Sequence, residues 1–395
     1  MAQYTIKKIF NFINAKDILS LFLLFIVFPF AIVSKIFIRG FWLVTEDENE
    51  ARDNGYWFFK WVRENRKKQK IAYAINKKSV DYKKVKNLGK VISFGSISHW
   101  FWYIVADKNI SSQKGGKPNA AVCYLFEVVL GLRRNNRVFL QHGVTKDKAE
   151  WLFYENTKLK TFITATIPEN EYIVKEFGYP LNNVKLCGFS RFDNLNDNQV
   201  DDDLILVMPS WRNWLGRESK ENKNLDFMKS DYYKCWNDFL NSEALTKILN
   251  KHNKKILFYP HRNMQKFLDY FKTNNKNIEI ASWKNYDIQE LLKKSAIMIT
   301  DYSSVFFDFS YMKKPVLFYQ FDEKVFREKQ YAEGYFNYHE TPLGKWADTK
   351  ENLLKNLDNL LSYKEPFISD EEYGKIFPYN DNKNSERIYN AIKGE

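Results

Sequence analysis

The sequence predicts an α/β protein of two similar halves, each built on a mainly parallel sheet. Three observations carry this: short, near-continuously apolar runs, helical stretches between them, and a polar divide near residue 200. In the first half the runs are Ile71–Ile75, Val91–Phe94, Val138–Gln141, Thr161–Ala165 and Val184–Cys187. Each is rich in Val, Ile or aromatics without alternation, the pattern of strands covered on both faces. Between them lie segments such as Pro168–Gly178, with proline near a helix start and glycine just past its end. Such alternation argues for a parallel sheet with crossover helices. The stretch Asn194–Asp203 (NLNDNQVDDD) reads as a linker. A second series follows, Leu204–Met208, Ile256–Tyr259, Ile278–Ala281, Ile297–Thr300 and Val316–Tyr319, with helices expected over Tyr286–Lys294 and Ser303–Met312. The expected divisions are an N-terminal segment 1–50, domains 51–200 and 201–371, and a polar helical tail 372–395 that could return to the first half.

With 395 residues, 45% apolar and 17% aromatic, the chain is long enough for two domains with cores of their own. The net charge of +13 is concentrated. Between Lys60 and Lys90 stand Lys60, Arg63, Arg66, Lys67, Lys68, Lys70, Lys77, Lys78, Lys83, Lys84, Lys86 and Lys90, against only Glu64 and Asp81. Such a block attracts phosphates, in lipid or polymer, although a merely solvated face has the same composition. It lacks the interleaved aromatics and motifs of nucleic-acid modules, so no nucleic-acid partner is expected. Ahead of it, Ile18–Ser34 is uncharged and almost wholly apolar, with Pro29 inside and Lys35 and Arg39 following. A spanning helix wants about 20 apolar residues, with about 17 as the lower limit. No small-residue cleavage site follows, which argues against a secretory signal. The expectation is membrane attachment, by a single span or an interfacial anchor, with Phe41-Trp42 at the headgroup level. Lys7, Lys8 and Lys16 precede the segment, so its flanks leave orientation open, and the basic remainder favours the cytoplasmic face of the cell membrane. Cys123, Cys187 and Cys235 form no CxxC pair and fit a reducing compartment. No metal-ligand spacing is present, and no cofactor is expected.

In parallel sheets, ligands bind at the carboxyl ends of strands, beside helix N-termini. Four polar clusters fall at such ends: Gln141-His142-Gly143, Pro209-Ser210-Trp211-Arg212, Pro260-His261-Arg262-Asn263, and Thr300-Asp301-Tyr302-Ser303-Ser304. Gly143 would allow a sharp turn that exposes the imidazole. Ser303 and Ser304 offer hydroxyls and backbone N–H groups at a helix start, and Arg212, Arg262 and His261 add donors suited to phosphate oxygens. These three clusters fall in the second half. His142 falls in the first, where a histidine suits a general base facing an acceptor hydroxyl across a cleft. Taken singly, each has a plainer reading: a structural histidine, an N-cap, a turn. His99, His252 and His339 sit in no such setting.

At these residues the sequence resembles the CDP-glycerol glycerophosphotransferase family, the primases and polymerases of bacterial teichoic acids and their capsule-making relatives. The match runs from about Lys70 to Trp346. It is carried by VFLQHGVTKD (Val138–Asp147), VKLCGFSRFDNL (Val184–Leu195), VMPSWRNWL (Val207–Leu215), FYPHRNMQKFL (Phe258–Leu268) and the long run DIQELLKKSAIMITDYSSVFFDFSYMKKPVLFYQFD (Asp287–Asp322). The resemblance implies two Rossmann-like domains facing a central cleft (GT-B-like), with the apolar N-terminal segment as a membrane-associating addition. It implies His142 as the acceptor-side catalytic residue and His261 as a second essential histidine near the donor phosphates. Ser210, Arg212, Arg262, Ser303 and Ser304 become the pyrophosphate contacts, with Asp301 and Asp308 beside them. The implied reaction moves glycerol-phosphate or ribitol-phosphate from CDP-glycerol or CDP-ribitol to a hydroxyl of a lipid-linked glycan or polymer, releasing CMP. The implied surroundings are an anionic membrane surface, and a homo-oligomer is compatible with them. One departure stands out: where many members read His-Gly-Thr-Pro, this chain continues Gly143-Val144-Thr145-Lys146. Two other readings are a nucleotide-sugar glycosyltransferase of GT-B fold and a non-enzymatic basic membrane or nucleic-acid binder built on Lys60–Lys90.

Overall fold

The computed structural model describes residues 14–132, 136–196, 199–216, 227–363 and 366–394; Lys7 and Lys8 of the basic N-terminal flank lie outside them. The chain forms two compact units. One comprises Met1–His142, Glu150–Asp193 and Asp381–Glu395, the other Gly143–Ala149 and Asn194–Asn380.

The first unit holds β1 (Phe41–Thr45), β2 (Lys70–Ile75), β3 (Val91–Ser93), β4 (Lys108–Ser111), β5 (Arg137–Phe139), β6 (Thr161–Thr164) and β7 (Val184–Leu186). They make one parallel sheet in the order β3-β2-β1-β4-β5-β6-β7. Phe41 and Trp42, expected at the headgroup level, instead open the inner strand β1 and are buried. The reason is local: FWLVT is five residues without a polar break, and all five side chains are covered by layers on both faces. On one face, Trp42, Val44, Phe58, Tyr73 and Ile75 pack with Ile388, Tyr389 and Ile392 of the C-terminal helix Asn384–Lys393. That helix is fixed by Asp193, whose carboxylate accepts from the backbone N–H of Asn384 and Ser385 at 2.8 Å each. On the other face, Leu43, Ala72 and Ala74 meet Trp100, Tyr103 and Ile104 of the helix Ile97–Val105, and Val27 and Ala31 of the helix Ala15–Phe37.

The second unit holds β8 (Asp201–Met208), β9 (Lys255–Phe258), β10 (Ile278–Ile280), β11 (Ser295–Thr300), β12 (Val316–Tyr319) and β13 (Lys345–Ala347). Their order is β10-β9-β8-β11-β12-β13, again all parallel. Its core centres on the fully buried Trp236, with Phe239, Phe258 and Tyr319 around it. Strand β8 starts inside the acidic stretch expected to be linker, because Asp201 pairs with Ser295 of β11. The helix expected over Ser303–Met312 spans Phe306–Tyr311, and the serines lie in the turn before it. Both sheets have the Rossmann-like order that reverses beside the first strand, at β1/β4 and at β8/β11. Loops at such a reversal diverge and leave a crevice at the carboxyl edge, which is where this architecture binds ligands.

Candidate active site

In the first unit, His142 follows β5 at the carboxyl edge, with its imidazole 66% exposed. The sharp turn belongs to Gln141, whose φ is +59°, and not to Gly143 as expected. Gln141 accepts this backbone because its side chain is buried and held: Nε2 donates to the Ile163 carbonyl at 2.7 Å and to Glu169 Oε1 at 2.9 Å. Asn54 Nδ2 donates to the Gln141 carbonyl at 2.7 Å, so the peptide before the histidine is fixed from both sides. Glycine at 143 answers a different need. A Cβ there would lie 2.4 Å from Ser304 Oγ.

The imidazole has polar company that the sequence did not announce. Asp53 Oδ2 stands 3.6 Å from His142 Nδ1, and Gln113 Nε2 3.3 Å from the same atom. Arg191 Nη1 binds Asp53 Oδ1 at 2.8 Å and donates to the His142 carbonyl at 3.0 Å. Asp53 also caps the helix Asn54–Asn65. Behind it lies Glu46, buried, accepting from the backbone N–H of Tyr56 at 2.6 Å, Arg52 at 2.9 Å and Asp53 at 3.2 Å. Burial, and then the charge of Asp53, pushes the Glu46 carboxyl up to about 8. The folded state therefore holds this proton more tightly than the unfolded chain. Its stabilisation is complete below the ordinary carboxylate range and is lost as pH rises through about 8. Thermal melts between about pH 5 and 9 should show stability falling with pH, and Glu46→Gln should flatten that fall.

In the second unit, the loops after the adjacent strands β9, β8 and β11 are tied together. His261 N donates to the Pro209 carbonyl at 2.9 Å, linking the β9 and β8 loops. Ser210 N donates to Asp301 Oδ1 at 2.8 Å, linking β8 to β11. Arg212 is the pin. Its Nε and Nη2 bind Asp322 at 2.8 and 3.0 Å, and its Nη1 donates to the Ser210 carbonyl and Oγ at 3.2 and 3.0 Å. Nη2 also lies 2.9 Å from Asp301 Oδ2, an ion pair without the angle of a hydrogen bond. Rings of Tyr302, Tyr232 and Phe326 surround the guanidinium within 5.2 Å. Burial disfavours its charge, but Asp301 and Asp322 outweigh that and raise its pKa above the ordinary value.

The expected donor contacts thus divide in two. Arg212, Asp301 and Asp308 are buried, and the sites of guanidinium donation on Arg212 are occupied by protein groups. Arg212 turns inward because two buried carboxylates need a counter-ion. Ser303 and Ser304 are half-buried in the turn after β11, where Ser303 Oγ accepts from Val305 N at 3.4 Å. His261 Nδ1 accepts from Asn263 N at 3.2 Å, and its ring stacks on Trp211. With Nδ1 accepting, the neutral ring carries its proton on Nε2. Arg262 sits 5.1 Å over the Trp283 ring and lines a cleft of about 870 Å³ with Trp211, Lys266, Trp283 and Lys284.

The loop that departs from the family pattern is firmly held. Lys146 is buried against Asp147, and Arg327 Nη1 binds Asp147 Oδ1 at 2.6 Å. Burial lowers the Lys146 pKa, and Asp147 offsets part of that. Among the described residues, no group of three or more His, Cys, Asp or Glu is placed to hold a metal ion.

Comparison with known proteins bears on this arrangement. Minor teichoic acid biosynthesis protein GgaB of Bacillus subtilis (strain 168) is 33% identical over 366 residues, covering 89% of this chain and 39% of that protein. Teichoic acid ribitol-phosphate polymerase TarK of Staphylococcus aureus is 24% identical over 235 residues, covering 55% of this chain and 42% of that protein. The chain spans about two fifths of the length of these relatives. A structure of the wall teichoic acid polymerase TagF shares the fold, with a TM-score of 0.65 at 19% identity over 91% of this chain and 90% of that one. An S. aureus MnaA–UDP co-structure is a more distant likeness, with a TM-score of 0.55 at 13% identity over 90% and 96%. The family described as CDP-glycerol:poly(glycerophosphate) glycerophosphotransferase matches residues 40–394, and the chain belongs to it.

Proposed function

We propose that this chain transfers glycerol-phosphate or ribitol-phosphate from a CDP-alditol to a hydroxyl of a lipid-linked glycan or polymer, at the cytoplasmic face of the cell membrane. The observation that carries the reading is the set of three strand-end loops tied side by side at the β8/β11 reversal, presenting His261, Arg262, Ser303 and Ser304. Membership of a family whose description names CDP-glycerol supplies the donor class.

The acceptor oxygen attacks the β-phosphorus, a new P–O bond forms, and the bond to the CMP oxygen breaks with its electron pair leaving on CMP. His142 takes the acceptor proton. His261, with its proton on Nε2, and Arg262 donate to the pyrophosphate oxygens as charge builds on them. Phosphoryl transfer asks for little covalent chemistry, so positioning and electrostatics carry most of the rate. Ser210, Asp301 and Arg212 act one step back, holding the loops in register.

Donor profiling tests the reading. CMP release from CDP-glycerol or CDP-ribitol in the presence of a lipid-linked acceptor is the expected result. Preference for a UDP- or GDP-sugar would replace it with sugar transfer on the same fold. Asp53 is a positioning residue for His142 in this scheme. Asp53→Asn should lower kcat about 10-fold with donor KM unchanged, because the imidazole loses the carboxylate that orients it. A KM effect equal to the kcat effect would instead point to a damaged fold.

A further inference from the structure

On the first unit, beside His142, stands a cation that the transfer scheme does not use. The loop after β4, residues 112–118, lies at the β1/β4 reversal, on the same carboxyl edge as His142. It is folded tightly onto the strand ends. Ser111 Oγ donates to the Gln113 carbonyl at 2.7 Å, and Gly116 N donates to the same carbonyl at 3.2 Å. Thr45 Oγ1, at the end of β1, donates to the Gly116 carbonyl at 2.8 Å. Gly116 has no room for a side chain: a Cβ there would lie 2.1 Å from Ser111 Oγ and 2.5 Å from Thr45 Oγ1. The loop therefore holds Gln113 and Lys114 in a fixed place. Gln113 Nε2 is 3.3 Å from His142 Nδ1, so Lys114 follows directly on a residue that touches the imidazole.

The Lys114 ammonium is anchored but not neutralised. Nζ donates to the Trp151 carbonyl at 2.6 Å, in the short helix Glu150–Leu152. The Lys114 carbonyl in turn accepts from Arg137 Nη2 at 2.9 Å. Among the described residues, no carboxylate pairs with Lys114, whereas Lys117 of the same loop is paired with the buried Glu127 at 3.4 Å. Burial, and then the charge of Arg137, lowers the Lys114 pKa. A half-buried cation facing a second cation is relieved by a bound anion. An ammonium has three donors, and the Trp151 carbonyl uses one of them.

The donor pyrophosphate belongs to the loops of the second unit, which leaves an anion on the acceptor as the partner for Lys114. An acceptor that already ends in an alditol-phosphate unit carries a phosphodiester a few carbon atoms from its free terminal hydroxyl. An acceptor ending in an uncharged sugar has no charge at that position.

Taking the acceptor side from the transfer reading, on which this step rests, we propose that Lys114 determines acceptor specificity. It binds the terminal phosphodiester of an acceptor already ending in an alditol-phosphate unit and brings the free hydroxyl of that unit to His142. The chain then extends a phosphate-bearing polymer in preference to starting one on a bare sugar.

Two measurements on the full chain test this separately from donor chemistry. Without donor, short synthetic glycerol-phosphate and ribitol-phosphate oligomers are titrated in turn. The tighter of the two should bind about 10-fold more weakly to Lys114→Gln, the loss of one charge-assisted hydrogen bond, and Lys114→Arg should recover most of it. Lys67→Gln with Lys68→Gln, at exposed positions of the basic block, should change binding less than about twofold. With donor, Lys114→Gln should raise the KM of a lipid-linked glycan ending in one alditol-phosphate unit about 10-fold. Donor KM, melting temperature and the rate on the same glycan lacking that unit should not change. Equal losses with both acceptors would make Lys114 a structural clamp on Trp151 and overturn the proposal. So would wild-type protein that binds neither oligomer, or binding that follows Lys67 and Lys68 instead. Oligomer binding that depends on Lys114, with no CMP released from either CDP-alditol, would refute the transfer reading and leave the phosphodiester contact standing.

Discussion

Replacing His142 with alanine is expected to lower turnover about 10³-fold while leaving CDP-alditol binding within about twofold of wild type. The expectation rests on how little else the imidazole does. It is mostly exposed and is brought to the carboxyl edge by neighbours that are themselves fixed. Gln141 takes the left-handed backbone, Glu169 and the Ile163 carbonyl hold Gln141, and Arg191 grips the His142 carbonyl. Removing the ring leaves all of this in place. The loss should therefore appear in kcat, with the melting temperature unchanged, when single-turnover rates and donor affinity are measured side by side. Comparable losses in stability and rate would make His142 structural.

Arg212→Met is expected to act in the opposite way, on folding before chemistry. The guanidinium is fully buried and compensates Asp301 and Asp322, which are themselves buried. Methionine of similar length would fill much of the volume but leave two carboxylates uncompensated. Breaking a buried pair from one side costs about 3–5 kcal/mol. Against a typical domain stability of about 5–15 kcal/mol, that is a large part of the whole. Chemical denaturation should show a much lower midpoint, and Arg212→Lys should recover little, because an ammonium cannot bind both carboxylates and Ser210 through a planar fork. A stable Arg212→Met with lost donor binding would instead return Arg212 to the phosphates.

Arg212 reads in the sequence as a ligand contact, and in the structure its guanidinium is bound to Asp301 and Asp322. Pro209-Ser210-Trp211-Arg212 follows β8 as the sequence led one to expect, but whether a side chain faces the crevice or the core depends on Asp322, which arrives from the loop after β12. The same limit hid Asp53 and Arg191. Asp53 carries no motif of its own and caps the helix Asn54–Asn65, Arg191 lies in the matched run Val184–Leu195, and only the order β1-β4-β5 and the return of β7 bring both to His142. Sheet order is set by long-range packing, and local composition does not encode it. The strands themselves were legible wherever apolar runs stood between polar flanks. Strand β1 was masked by the apolar segment before it, while β4 (KNIS) and β13 (KWA) are short and carry lysine at their first position. Gly143 was expected to make the turn; Gln141 makes it instead, and glycine at 143 leaves room for Ser304 Oγ.

Transfer of an alditol-phosphate unit is read from product mass. Purified chain incubated separately with CDP-glycerol and CDP-ribitol, each with a defined lipid-linked acceptor, should extend the acceptor by a glycerol-phosphate or ribitol-phosphate unit, with one CMP released per unit added. An acceptor left unchanged with both donors, but extended by a hexose or N-acetylhexosamine from a UDP- or GDP-sugar, would contradict it.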